Sequence, residues 1–440
     1  MVNGLARAAA LSLIAALASA QSIDRVVERL NRLEKENETL REQIRELRDE
    51  VEKLRGAPAA NAPTIPERLE IAERRIEEQA QTKVETSQKF PLRFTGMALA
   101  NLYRNGRQAN NADHATTAAR IPGRATSAMT FRQSVLGIEY RGPTTFLGGD
   151  VGGSLFMDFF EGPTENNNFA PVRMRTANIH VDWKTRSLFV GLDKPLFSQR
   201  DPSSFSFVGV SPLTAAGNLW RWQPQIRLEQ RVSFGERDML RGQIGLYQTS
   251  EEATTTAQVA FERRRPALQG RFEFAHEFDS RRRVEIAPGF HFSESHVAGI
   301  GIPSNLASID WFANPWSKLE FSGLFWSGQN IHHFGAFRQG LTIRGPASII
   351  AVRSKGGWSQ LAFPFTGRVT MNLFGGVHDD RNADLALNNI AANRTGAINF
   401  MFRVAPNVIL GIEAMQIRTN YLGSGNRKNN RYDLSAAYQF

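Results

Sequence analysis

The last nine residues constrain the fold more than any other stretch of the chain. From Tyr432 to Phe440 they read YDLSAAYQF, with an apolar or aromatic residue at every second position. A two-residue period indicates an extended strand with one apolar and one polar face. Outer-membrane β-barrels typically finish on such a strand, with Tyr438 and Phe440 as the assembly signal. Taken alone, the segment also fits the edge strand of a soluble sheet.

The first twenty residues predict export. Arg7 precedes a short apolar run over 8–17, and Ala18-Ser19-Ala20 has the small residues of a cleavage site. The run is too short to span a bilayer as a helix, although an N-terminal anchor is the alternative to a signal peptide over 1–20. The chain has no cysteine, so we expect an exported protein stabilised by a large core or by lipid rather than by disulfides.

Charge is distributed unevenly between two parts of the mature chain. Residues 21–87 hold 13 basic and 16 acidic residues, whereas residues 88–440 hold 39 basic and 27 acidic residues, a net charge of +12. Nucleic acid is a poor partner for an exported, strand-rich domain. We therefore expect a cationic cavity that attracts small anions.

A parallel coiled coil is predicted over residues 21–56. An unbroken heptad runs from Ile23 to Leu54 with Leu, Ile or Val at all a and d positions except Asn37, and a single Asn at an a position favours in-register parallel strands. Asn at a with Leu at d favours a dimer, but Arg29 and Glu34 frame a short motif known from parallel trimers. The sequence favours the homotrimer.

Two further segments separate the coiled coil from the strand-rich domain. Residues 57–66 form an Ala/Pro/Asn-rich linker that cannot continue the helix. Residues 67–88 predict a second short helix with a narrow apolar stripe, for which a flexible charged linker is the alternative.

Residues 89–440 predict an all-β transmembrane barrel of about sixteen antiparallel strands behind the α-helical coiled coil. Ile226, Leu228 and Val232, for example, alternate with Arg227 and its polar neighbours, as in a barrel with a wet lumen. Sixteen strands leave an aqueous channel; a soluble β-helix or sandwich is the alternative. The predicted segments lie near 92–103, 128–141, 145–160, 172–184, 186–194, 219–233, 237–250, 265–278, 281–294, 304–315, 317–328, 355–363, 367–378, 391–404, 406–420 and 429–440.

The connections between these segments are of two lengths. Those at 184–186, 278–281 and 315–317 are very short and predict periplasmic turns. The longer ones are expected on the outer face, at 104–127, 161–171, 195–218, 329–354 and 379–390.

Local strings resemble the DcaP-like trimeric outer-membrane porins and, more distantly, the phosphate-selective porins O and P. The strings are Phe131–Ser134, Gly217–Arg221, Ser327–Asn330, Gly356–Leu361, Asn393–Phe402 and Val408–Tyr421. The resemblance implies a homotrimeric channel whose long loop after an early strand folds inward; here that loop is 195–218. This loop lacks the Lys/Arg cluster of the phosphate-selective members, which puts phosphate specificity in doubt.

Arginines on the polar faces of the strands are the candidate pore residues. Arginine stays charged and binds carboxylate or phosphate with two parallel hydrogen bonds. Because Glu229 and Glu273 lie on the same faces, structural ion pairs are the alternative role. The candidates for lining the pore and binding anions are Arg227, Arg231, Arg241 and Arg271, followed by Arg132, Arg173 and Arg175 near strand starts.

The sequence therefore predicts a passive porin for small hydrophilic solutes, with a preference for anions such as organic carboxylates or phosphate-like ions. We expect outer-membrane lipid, a homotrimeric assembly and anionic solutes as partners, and a periplasmic coiled coil that meets peptidoglycan or another component. No catalytic constellation, metal site or cofactor motif emerges, since His332-His333 and His378 with Asp379 and Asp380 lack the flanking motifs. The alternatives are an envelope tether and a barrel esterase or phospholipase.

Overall fold

The computed structural model describes residues 91–160, 171–248, 261–263, 266–297, 300–336, 339–345 and 348–440. The predicted signal peptide, coiled coil, linker and second helix lie outside these residues and stay predictions. No helix among the described residues is long and apolar enough to cross a membrane.

The described residues form strands joined by turns, loops and two short 3₁₀ helices, His332–Phe334 and Asn382–Asp384. The strands are β1 Leu92–Asn105, β2 Thr126–Thr130, β3 Val135–Phe146, β4 Gly149–Asp158, β5 Arg173–Asp182, β6 Arg186–Asp193, β7 Gln223–Phe234, β8 Asp238–Tyr247, β9 Phe261–Arg263, β10 Ala267–Glu277, β11 Arg283–Val297, β12 Ile300–Trp316, β13 Leu319–Gln329, β14 Leu341–Gly345, β15 Ser348–Ala351, β16 Arg353–Pro364, β17 Val369–Asp380, β18 Ile390–Ala405, β19 Val408–Tyr421 and β20 Gly425–Gln439.

These strands close into a sixteen-stranded antiparallel barrel. β2 and β3 together make one barrel strand, since both pair with β1, and β9 and β10 together make another beside β11. β14 and β15 form a separate hairpin in a loop. The barrel closes where β1 pairs with β20, from Met97 opposite Gln439 to Asn105 opposite Arg431. The predicted barrel of sixteen strands is confirmed.

The barrel is apolar outside and polar inside, which explains the two-residue period. On β7, Ile226 and Leu228 point outward and are more than half exposed, whereas Gln225, Arg227 and Glu229 point inward. Exposed apolar side chains recur around the wall, and a continuous apolar surface of this kind is typical of the lipid-facing band of a transmembrane barrel.

The two ends of the barrel differ in their connections. At one end, here called the turn end, adjacent strands are joined by short turns, among them 147–148, 183–185, 278–282 and 317–318. The other end, the loop end, carries the long connections 106–125, 159–172, 194–222, 330–352 and 381–389. The predicted short and long connections therefore fall at opposite ends of the barrel.

Residues 194–222, here called the inner loop, fold into the barrel, as the resemblance implied. Phe197, Phe207, Leu213 and Leu219 of this loop are buried in one apolar cluster. The cluster also contains wall and loop residues, including Ala115, Ala118, Leu306, Leu324, Trp326, Ile331, Phe334, Trp358, Phe374, Met415 and Ile417. The loop is thus held inside the barrel by the same apolar burial that forms the core of a soluble protein.

The inner loop touches the barrel wall backbone to backbone. A Cβ on Gly217, which has φ +104°, would lie 2.2 Å from the Gly357 carbonyl oxygen, and one on Gly376 would lie 2.1 Å from that of Ala216. Trp326 Nε1 donates to the Gly217 carbonyl at 2.8 Å. Glycine is required at this contact because any side chain would push the loop off the wall.

A candidate pore and its charged lining

Gln133 fixes the middle of the inner loop to the wall. Its side chain is almost completely buried. The backbone N–H groups of Val208 and Gly209 donate to its Oε1 at 2.6 and 3.0 Å, and its Nε2 donates to the Ser206 carbonyl at 2.9 Å. Backbone groups inside a barrel need such partners, since unpaired buried polar groups are costly.

Arg173 and Arg175 hold the same part of the loop. Arg173 makes two bonds to the Asp158 carboxylate, at 3.0 and 2.7 Å, and Arg175 makes one at 2.8 Å. Arg175 also donates to the Val208 carbonyl at 2.7 Å, and Arg173 donates to the Gly209 carbonyl. These two predicted pore residues therefore position the inner loop.

Arg132 is buried and anchors a different loop. Its guanidinium bonds to Asp113 at 2.7 Å, and Tyr103 donates to the other oxygen of that carboxylate at 2.6 Å. Both members of the Arg132–Asp113 ion pair are almost fully buried. The pair ties loop 106–125 to the wall.

A second ion-pair network lies on the wall formed by β8, β10 and β12. Arg271, only 1% exposed, bonds to Asp310 at 2.7 and 2.8 Å and to Glu273 at 2.6 Å. Arg241 pairs with Glu273 at 2.6 Å and is 30% exposed. Arg200 of the inner loop joins the network through Asp310 at 3.1 Å. Arg271 is inaccessible to solute, whereas Arg241 and Arg200 are accessible in part.

Asp201 organises the start of the inner loop. Lys194 forms an ion pair with it, and Ser211 Oγ and Asn218 Nδ2 donate to it at 2.8 and 3.0 Å. Burial opposes ionisation of this carboxyl, but the Lys194 ammonium and these hydrogen bonds hold the pKa of Asp201 below its usual range. The ionised carboxylate therefore closes the loop on itself.

A cavity of about 690 Å³ opens along the inner wall of β3–β7 towards the turn end. Arg227 lies in it, 17% exposed, with Asp193 at 2.9 Å and the Phe189 ring centroid at 3.9 Å. Arg231 is 33% exposed and lies 3.6 Å from Glu229. The charged side chains that line the cavity are Arg141, Arg227, Arg231, Glu139, Asp150, Asp182, Asp193 and Glu229.

This lining corrects one expectation. The net charge of +12 predicted a cationic cavity, but carboxylates outnumber guanidinium groups here by five to three. The positive excess of residues 88–440 is therefore not found in this cavity.

All seven predicted arginines have a carboxylate partner within 3.6 Å. The sequence showed Glu229 and Glu273, which are neighbours of arginines on the same strand. It did not show Asp113, Asp158, Asp193 or Asp310 as partners, because these residues come from other strands or loops. Of the seven, Arg227, Arg231 and Arg241 point inward, are accessible from the open lumen and make no bond to the long loops.

Solved structures of outer-membrane channels share this fold, and three of them serve as examples. The outer membrane channel DcaP of Acinetobacter baumannii matches with a TM-score of 0.65 at 14% identity, over 79% of this chain and 97% of that one. An anion-selective porin from Comamonas acidovorans gives 0.55 at 12%, over 79% and 99%. OprB of Pseudomonas putida gives 0.51 at 9%, over 82% and 97%.

The likeness is one of structure. No family model and no curated protein matches the sequence. The resemblance to DcaP-like porins is confirmed by this structural likeness, at the level of the fold. The chain has the fold of the DcaP-like outer-membrane porins.

Proposed function

We propose that this protein is an outer-membrane porin, a passive diffusion channel for small hydrophilic solutes. The observation that carries the proposal is a closed sixteen-stranded barrel with an apolar outer face and a charged interior, narrowed by its own inner loop. An apolar exterior suits lipid, and a charged interior stays hydrated. We also propose that the turn end faces the periplasm, where the predicted coiled coil of the homotrimer lies.

The cavity along β3–β7 supports passage of polar solutes. Its volume of about 690 Å³ is that of a small-molecule site, and charged groups rather than apolar ones dominate its lining. Because Arg227 and Arg231 are both paired and partly exposed, each can exchange its carboxylate partner for a solute carboxylate at little cost. Several weak exchange sites allow a solute to enter and leave quickly.

The proposed selectivity is a modest preference for anions. The positive charge of the barrel domain attracts anions at long range, and the accessible guanidinium groups of Arg227, Arg231 and Arg241 offer contacts. The carboxylates of the cavity limit the preference. One structural neighbour is described as anion-selective, which supports the same direction here.

The reversal potential across a planar bilayer in a KCl gradient tests this selectivity. We expect the sign of the reversal potential to show that chloride passes more easily than potassium. A channel that passes potassium more easily would contradict the anion preference, and it would leave the diffusion channel itself intact.

A further inference from the structure

Three basic residues form a row on the outer face of the barrel near the loop end. Arg394 of β18 lies directly opposite Arg418 of β19, and Arg418 lies directly opposite Lys428 of β20. All three side chains are exposed and alternate with the inward residues of their strands, so they point away from the lumen. The row thus belongs to the surface that continues the lipid-facing band.

In the part of the chain that the structure describes, no carboxylate stands directly opposite any member of this row. Among the described residues, no carboxylate forms an ion pair with Arg394, Arg418 or Lys428. The Nε of Arg418 donates to Gln416 Oε1 at 2.7 Å, which leaves its charge uncompensated. Like charges directly opposite each other on a sheet are destabilising. Such an arrangement is stabilised when an anion binds across it.

The position of the row along the strands indicates which anion is available. On β20, the exposed apolar and aromatic band runs from Tyr432 to Tyr438, and Lys428 stands four residues beyond it, about 14 Å along the strand at about 3.4 Å per residue. A polar step separates the two, with Gln416 Nε2 donating to Asn430 Oδ1 at 3.1 Å. On β17, Val377 is 37% exposed and lies directly opposite Arg394, so the row stands at the edge of the apolar band, where lipid headgroups meet the hydrocarbon.

A cavity of about 580 Å³ lies over the row. Its remaining walls add side-chain amides and one more guanidinium group, from Gln108, Asn420, Asn426 and Arg427. Guanidinium and ammonium groups bind phosphate, and amides bind sugar hydroxyls. The lining thus suits a phosphorylated sugar.

We propose that Arg394, Arg418 and Lys428 bind the phosphate groups of lipopolysaccharide in the outer leaflet of the membrane. This inference rests on the proposed outer-membrane location, with the loop end outward. Its site is separate from the solute path, because the three side chains point away from the lumen.

The barrel offers a matched control at the same end. Lys355 of β16 also points outward near the loop end, but it lies directly opposite Asp379 of β17. A carboxylate therefore faces it directly on the outer side of the sheet, which is not the case for any residue of the row. Replacing it removes one positive charge from the outer face without touching the row.

The test uses the purified full-length protein in detergent and follows thermal unfolding by circular dichroism as lipid is added. The lipids are a short-chain lipopolysaccharide and the same lipid after phosphate removal, with inorganic phosphate as a third arm. We expect only the phosphorylated lipid to raise the midpoint of wild type. The triple variant R394Q/R418Q/K428Q should lose about 100-fold in apparent affinity, about five-fold per basic residue, while Lys355→Gln should respond like wild type.

Several results would overturn the proposal. These are an equal response of the triple variant, an equal effect of the dephosphorylated lipid, or an equal effect of inorganic phosphate, which would assign the row to free anions. Without lipid, the triple variant should unfold at the same or a higher temperature than wild type, because it lacks the repulsion among the three positive charges. A lower midpoint would contradict the claim that these charges repel one another. Conductance of the same samples separates the two proposals, because a conducting protein without a lipid response refutes this inference alone.

Discussion

Replacing Gln133 with alanine should release the middle of the inner loop. The change removes the acceptor for Val208 and Gly209 N–H and the donor to the Ser206 carbonyl. At about 1 kcal/mol for each of these three hydrogen bonds, the packed loop loses about 3 kcal/mol. That is about a 150-fold shift between packed and released loop. Arg175 and the apolar cluster still hold the loop, so we expect frequent excursions and not complete loss.

Single-channel recording reads these excursions directly. The Gln133→Ala channel should show larger and noisier open currents than wild type, because a released loop widens the path intermittently. Gln230→Ala is the matched control, since Gln230 is exposed on the outer face and its only described side-chain bond is to the Arg231 carbonyl at 3.0 Å. A folded Gln133→Ala barrel with wild-type current and noise would refute the role of this contact.

Three further predictions concern selectivity, acidity and assembly. Arg227→Ala should shift the anion-to-cation permeability ratio towards cations by about two-fold, the effect of one partly screened charge. Lys355→Gln, the control, should leave the reversal potential unchanged. Equal shifts in the two variants would show that Arg227 does not line the ion path. Because the pKa of Asp201 is lowered in the folded loop, the stability that its ion pair gives the loop is complete above about pH 4, the usual Asp range, and is lost as pH falls through the lowered value. Currents should therefore be steady at pH 5, and the Asp201→Asn channel should be noisy even at pH 7. Equal noise in both proteins would count against the ion pair to Lys194. Sedimentation of the isolated 21–56 peptide should give a trimer mass, and a clean dimer mass would exclude the predicted assembly.

The barrel strands were predictable because lipid and water impose opposite demands on alternate residues. Ile226 and Arg227 are neighbours in sequence, and only a strand between lipid and lumen satisfies both. The same local pattern made the predicted segments agree with the sixteen barrel strands. The positions of these strands could be predicted from the residues of each segment alone, without knowledge of which strands pair.

The contacts inside the barrel were not predictable in the same way. The sequence predicted one strand over 128–141, but the structure divides it into β2 and β3 around a turn at 131–134. The turn brings Arg132 and Gln133 to loop residues far away in sequence. The partner of Arg227 also depends on a contact between separate segments, because Asp193 lies on the adjacent strand.

Net charge was a misleading guide to the cavity along β3–β7, whose charged lining is mainly acidic. A total of +12 for residues 88–440 says nothing about which side of the wall carries it. Inward arginines meet carboxylates, whereas the outward row of Arg394, Arg418 and Lys428 meets none among the described residues. Strand register brings these three residues together on the outer face, and the sequence analysis did not predict this row.

Single-channel conductance of the purified wild-type protein in a planar bilayer tests the central claim most directly. We predict discrete, long-lived ion steps, because the barrel is closed, hollow in part and lined by charged side chains. A protein that inserts into the bilayer, keeps its sheet content and yet gives no steps would contradict the diffusion channel and would favour an envelope tether.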